Sequence, residues 1–118
     1  MRYIRKEHIS TIICDQDVVD TEIINSLLKT LKEKNISFSI TVRKFFADIY
    51  DYKDMFYDKV RIKSIEEEKI NLVVLKKSSC TILKDINISD IIKIDVTTAK
   101  NIVAMNAKDP TRWDFLDI

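Results

Sequence analysis

Glycine does not occur once in these 118 residues, where an average usage of about 7% would place roughly eight. Phosphate-cradling loops, the dinucleotide fingerprint and the nucleophile elbow all need glycine where the backbone turns with positive φ or touches a ligand. None of them can be built here in its usual form. Histidine is reduced to His8 and cysteine to Cys14 and Cys80, which are far apart and lack metal-ligand spacing. On a straight strand His8 and Cys14 would share a face but stand about 20 Å apart, too far to hold one ion. No metal and no cofactor is therefore expected. No Ser–His, Cys–His or carboxylate arrangement marks a catalytic centre, so an enzyme is not expected either. Neither sign of charge prevails: 20 basic and 19 acidic residues give a net charge of +1. An electrostatic partner must be met by a local patch rather than by the whole molecule. No apolar stretch nears the roughly 18 residues of a membrane span. The basic start, Met1 to His8, leads into no clean apolar run of the signal-peptide kind. Both cysteines read as buried thiols of a reducing compartment, and the expected location is cytoplasmic.

What the chain does have is isoleucine and lysine in quantity, a composition consistent with an AT-rich genome such as that of a phage or a low-GC bacterium. Its 46% hydrophobic content fills one core, and no linker or low-complexity tract divides it, so a single domain over 1–118 is expected. Residues 9–14 are β-branched and read as a strand. Ile24, Leu27, Leu28 and Leu31 stand at i, i+3, i+4 and i+7, which predicts a helix over 18–34. Asp17, Asp20 or Thr21 can cap its start, Lys29, Lys32 and Lys34 suit its end, and Asn35 is the left-handed stop. Beyond it the period falls to 2, with Phe38, Ile40 and Val42 alternating with polar residues. Residues 45–58 hold Phe45, Phe46, Tyr50, Tyr52, Phe56 and Tyr57 among aspartates, without clear periodicity. Val60 and Ile62 then alternate with Lys59, Arg61 and Lys63. Glu66 to Glu68 make a turn, and Ile70 to Leu75 form a strand covered on both faces. Two more strands follow at 80–83 and 88–96. Thr97 or Thr98 is expected to cap a helix through Ala107, and Asp109-Pro110 to start another leading into Trp113.

A helix followed by about five short strands is the order of an Sm-like domain, and local residues support the resemblance. Residues 62–74 resemble the end of the first Sm motif, with Ile70-Asn71 on its Met-Asn pair after one insertion. Ile82-Leu83-Lys84-Asp85, followed by Ile88, Ile91 and Ile92, is similar to the second motif in its bacterial Hfq form, again with one insertion. The resemblance covers roughly 18–96 and implies a mostly β fold: a small SH3-type (Sm-like) barrel at about 36–96. Residues 1–35 would add an N-terminal strand and helix, and 97–118 a tail of one or two short helices. This sequence departs from the pattern at 45–58, which replaces the first hairpin turn, and at Asp85, which stands where the second motif carries glycine. These departures suit a divergent relative of the Sm/LSm/Hfq type, of phage origin.

The function implied by the resemblance is non-catalytic binding of single-stranded RNA, or DNA, by a homo-oligomeric ring. Asn71 would meet a base edge, Lys84 a phosphate or a base, and Lys69 would add charge at the same rim. From the residues alone, Lys59, Arg61 and Lys63 on one strand face can track a phosphate backbone, or simply be solvated. The aromatic residues of 45–57 can stack on bases, but their aspartates would repel phosphate, which favours a protein contact. Trp113, Phe115 and Leu116 form either a docking segment for a partner or a cover for the chain's own core. The alternative function is a structural or adaptor protein, for phage assembly or host-factor binding, with no nucleic-acid role. A third reading takes the N-terminal strand–helix–strand as an α+β sandwich with an accidental Sm likeness.

Overall fold

The computed structural model describes residues 2–6, 9–14, 18–46, 51–76, 79–96, 101–106, 108–109 and 112–117. Among these residues, nine strands and one α-helix occur in the order β1 (Arg2–Lys6), β2 (Ile9–Ile13), α1 (Val18–Glu33), β3 (Phe38–Phe46), β4 (Asp51–Glu66), β5 (Lys69–Leu75) and β6 (Cys80–Asn87). A 3-10 turn (Ile88–Asp90) then leads to β7 (Ile91–Val96), β8 (Asn101–Met105) and β9 (Trp113–Asp117). Seven strands make one antiparallel sheet in the order β1-β2-β7-β3-β4-β5-β6, and β8 and β9 pair separately as a hairpin.

The helix forms where the apolar stripe predicts it. Ile24, Leu27, Leu28 and Leu31 are all essentially inaccessible to solvent, and Asn35 ends the element at φ 53°. The same stripe meets the inward residues of the sheet: Ile12 from β2, Phe38 and Ile40 from β3, Val60 from β4, Ile70 and Leu72 from β5, and Ile91, Ile94 and Val96 from β7. Burying a side chain of this kind stabilises by about 1.5–3 kcal/mol, so this single layer of contacts dominates the stability. The result is a helix laid on one face of an antiparallel sheet, a two-layer arrangement.

The closed Sm-like barrel with C-terminal helices is thus corrected to an open seven-stranded sheet with one helix. The reason lies in β7. It is laddered on one side to β3 and on the other to β2 (Ser10↔Val96 to Ile13↔Lys93), so the N-terminal hairpin extends the sheet where a barrel would close. The unpaired edges are β1 and β6. The tail is the second correction: residues 101–105 and 113–117 are strands, not helices. Thr97 and Thr98, expected as caps, lie outside the described residues, as do His8, Asp17 and Pro110. Between β8 and β9 the Asn106 side chain accepts from the N–H groups of Lys108 and Asp109, and Arg112 N–H donates to the Asp109 carbonyl. Asn106 thereby holds a turn by local side-chain bonding, which competes with helix formation.

Strand β4 is 16 residues long. Drawn straight it would span about 50 Å, more than the 46 Å of the molecule's longest dimension. It bends at two bulges, between the pairs Ile40↔Tyr57 and Phe38↔Val60, and between Ile62↔Leu72 and Ser64↔Asn71. Its first half pairs with β3 and its second half with β5. Residues 43–46 and 51–54 run past the rest of the sheet as a two-stranded arm.

Candidate nucleic-acid interface

The outer face of β4, β5 and β6 lies opposite the helix. On β5, Ile70, Leu72 and Val74 are buried, while Asn71, Val73 and Leu75 are half-buried and Lys69 is exposed. This strand is therefore closed on one face and partly open on the other, not covered on both. Arg61 stands opposite Val73, between the inward Val60 and Ile62, and so belongs to the outer face. Lys63 and Ser64 fall at the β4 bulge against Asn71. Across β5, Lys84 and Asp85 fill the corresponding bulge of β6, between the pairs Leu72↔Leu83 and Ile70↔Ile86.

Asn71 is thus the hinge of two bulges, one on each neighbouring strand. Its Nδ2 donates to Ser64 Oγ at 2.8 Å, and its Oδ1 accepts from Asp85 N–H at 2.9 Å. Asp85 takes φ 57°, the left-handed conformation that glycine would supply without steric cost. The side chain expected to read a base edge spends one donor and one acceptor on holding the strands, leaving one of each.

The five residues expected to bind nucleic acid are brought together. Arg61, Lys63, Lys69, Asn71 and Lys84 occupy three adjacent strands, within two register steps of Asn71. They surround no pore, because the sheet is open. Lys59 precedes them on β4, and Lys76 follows β5. Arg61 and these five lysines side by side are exposed and, among the described residues, make no ion pair or side-chain hydrogen bond. Glu66, Glu67 and Glu68 close the face at the β4–β5 turn, so positive charge spreads from that turn toward the arm. A groove of about 680 Å³ begins where β5 ends, lined by Phe56, Lys59, Leu75 and Lys76 among others.

On the arm, Phe45 stands directly opposite Tyr52 and Arg43 opposite Asp54, and at its base Thr41 stands opposite Phe56. These alternate with the inward Val42 and Met55, which puts all three rings on the outer face. They are conspicuously exposed, at 65% for Phe45, 49% for Tyr52 and 60% for Phe56. The Phe45 and Tyr52 ring centroids are 6.1 Å apart. The Arg43 guanidinium lies 3.9 Å from the centre of the Tyr52 ring and donates to Asp54 at 2.9 Å. Its hydrogen bond to Asp54 raises its pKa further above the range in which it could lose its charge. Sequence reasoning found these rings but not their shared face, because an arm buried on neither side carries no selected alternation.

Trp113, read from sequence either as a partner anchor or as a cover for the chain's own core, is buried. Its Nε1 donates to Ser26 Oγ at 2.9 Å and reaches the Ile23 carbonyl at 3.3 Å, and Tyr3 meets its ring edge-on. Phe115 and Leu116 lie in β9, but their side chains are outside the described set. Cys14 is buried as expected, whereas Cys80 is exposed. Among the described residues no group of His, Cys, Asp and Glu could hold a metal ion, and no helix is long and apolar enough to cross a membrane.

The chain matches no protein-family model and no curated protein. Among solved structures it is similar to a crystal structure of a candidate DNA-binding protein from Bacteroides thetaiotaomicron, at 19% identity over 98% of this chain and 96% of that one. The TM-score is 0.26. A score this low does not make the two folds one, and the neighbour's description stays with the neighbour.

Proposed function

We propose that the chain binds nucleic acid without catalysis, through the outer face of β4–β6. The observation that carries this reading is the set of unpaired cations on the outer face, Lys59, Arg61, Lys63 and Lys69, with Lys84 in the adjacent β6 bulge, in a molecule with a net charge of only +1. Gathering like charges on adjacent strands costs free energy unless an anion spans them. A phosphate backbone is an anion of the right form, repeating along a line as the strand positions do. Asn71, with one free donor and one free acceptor beside Lys63 and Lys84, can add a polar contact.

Fluorescence polarisation of labelled oligonucleotides over a salt series tests this. About five phosphate contacts to a single strand predict a fall of log K with log salt of slope near −3.5. Arg61→Gln with Lys63→Gln should make that slope shallower by about 1.4 and weaken binding at every salt concentration. Unchanged affinity and slope in the double variant would remove the face from consideration.

A further inference from the structure

The two halves of β4 share an outer face but not a chemistry. From the second bulge back to the first, that face is basic: Lys63, Arg61 and Lys59. From the first bulge to the arm it is aromatic: Phe56, then Tyr52 with Phe45 beside it on β3. The groove of about 680 Å³ lies where they meet, lined by Phe56, Lys59 and Lys76 together with Asp58. Its size is that of a small-molecule pocket, large enough for a base.

We infer that the arm is a stacking platform for unpaired bases, so that the protein selects single-stranded nucleic acid over duplex. This rests on the reading of the basic face as the backbone site. Two features of the arm support it. Its rings are exposed at the end of an unpaired basic stripe, the combination that holds single strands independently of sequence. Arg43 adds a guanidinium 3.9 Å over the Tyr52 ring, a group on which bases also stack.

Of the described aspartates near the rings, Asp54 is neutralised by its ion pair with Arg43, and Asp51 accepts from the Tyr52 N–H on the other face of the arm. The Ser39 hydroxyl donates to the Asp58 carbonyl, and Asp58 keeps its charge next to Lys59. A duplex cannot use the rings, because its bases already stack on each other. It would engage only the cations.

The test compares a fluorescein-labelled oligothymidylate with the same strand annealed to its complement, using the full chain. Phe45→Ala, Tyr52→Ala and Phe56→Ala should each weaken single-strand binding roughly tenfold. Duplex binding and the salt slope should stay as in the parent. The rings are exposed, so thermal midpoints should not move. Phe45→Trp gives a direct readout, since stacked bases quench indole fluorescence while buried Trp113 supplies a constant background. If the ring variants leave single-strand affinity intact and Arg61→Gln still weakens it, the platform is overturned and the backbone site stands. If neither form binds at low salt, both fall. If the ring variants instead dissolve a dimer seen in sedimentation, the patch is a contact between copies and the inference fails.

Discussion

Among the described residues, three that are not glycine do the work of glycine. Asn35, Glu67 and Asp85 have φ of 53°, 46° and 57°. Asn35 closes a helix, Glu67 opens the two-residue loop between Glu66 and Lys69, and Asp85 shapes the β6 bulge. A left-handed residue with a Cβ is strained by about 1–2 kcal/mol, least for Asn and Asp. Glu67 has no such excuse. Glu67→Gly should therefore stabilise the protein by about 0.5–1 kcal/mol, the relieved strain less the added freedom of the unfolded chain. The midpoint of thermal unfolding should rise by a few degrees, and a fall would show that the loop depends on the glutamate side chain. Asn71 presents the opposite case. Asn71→Ala strips Ser64 Oγ and Asp85 N–H of their partner, a loss of about 1–3 kcal/mol in denaturant unfolding. Asn71→Asp keeps the acceptor for Asp85 N–H, and the Ser64 hydroxyl can turn to donate to the new carboxylate, so this variant should lose less. If Asn71 acted only on a ligand, Asn71→Ala would leave stability unchanged. Asparagine at this position was legible as special. That it serves two bulges was not, because no spacing in sequence reveals a bulge.

At the scale of elements, what sequence revealed depended on whether one face was buried. Helix α1 and strands β2, β3 and β5 each press a periodic set of side chains on the core, and each was readable. Strand β4 was readable only in its second half. Its bulges reset the alternation, and the arm has no buried face to impose one. The tail failed for another reason. Residues 97–107 mix alanine, lysine and methionine with Ile102 and Val103, so local propensity is nearly balanced between helix and strand. The contact that decides it is remote: Trp113 reaches Ser26, 87 residues away in sequence. That contact makes a prediction about the element. Trp113→Ala should cost about 3–5 kcal/mol, as for other buried tryptophans, and should expose the β8–β9 hairpin to protease. Trp113→Phe keeps much of the ring and gives up only the Nε1–H donor, so it should cost far less. As the sole tryptophan, Trp113 should emit to the blue of free indole and shift red on unfolding. Emission at the wavelength of free indole in the native protein would place it on the surface.

At the scale of the whole molecule, the open sheet leaves two edges where a ring was expected to leave edges for its neighbours. Strand β7, buried between β2 and β3, offers none. The edge of β6 is interrupted by the bulge at Lys84 and Asp85, and β1 is spaced with Arg2, Arg5 and Lys6. Charges and bulges on edges oppose strand-to-strand association, so the reduced chain should sediment as a 13.9 kDa monomer. Cysteine gives a second view of the same architecture. Cys80 begins β6 on the exposed edge, whereas Cys14 lies in the core, with its N–H bonded to the Ile92 carbonyl. A thiol reagent should thus titrate one equivalent at once, and the second only as the sheet opens. Reactivity of a cysteine follows its access as well as its thiolate fraction. The slow phase should accelerate with denaturant along the global unfolding curve, because β2 must leave β7 before Cys14 is reached. Under oxidising conditions a covalent dimer should form through Cys80 and vanish in Cys80→Ser. Two fast thiols in the native protein would mean that the N-terminal hairpin detaches without global unfolding. The extension of the sheet by β1 and β2, which is what holds it open, would then be the weakest part of the fold.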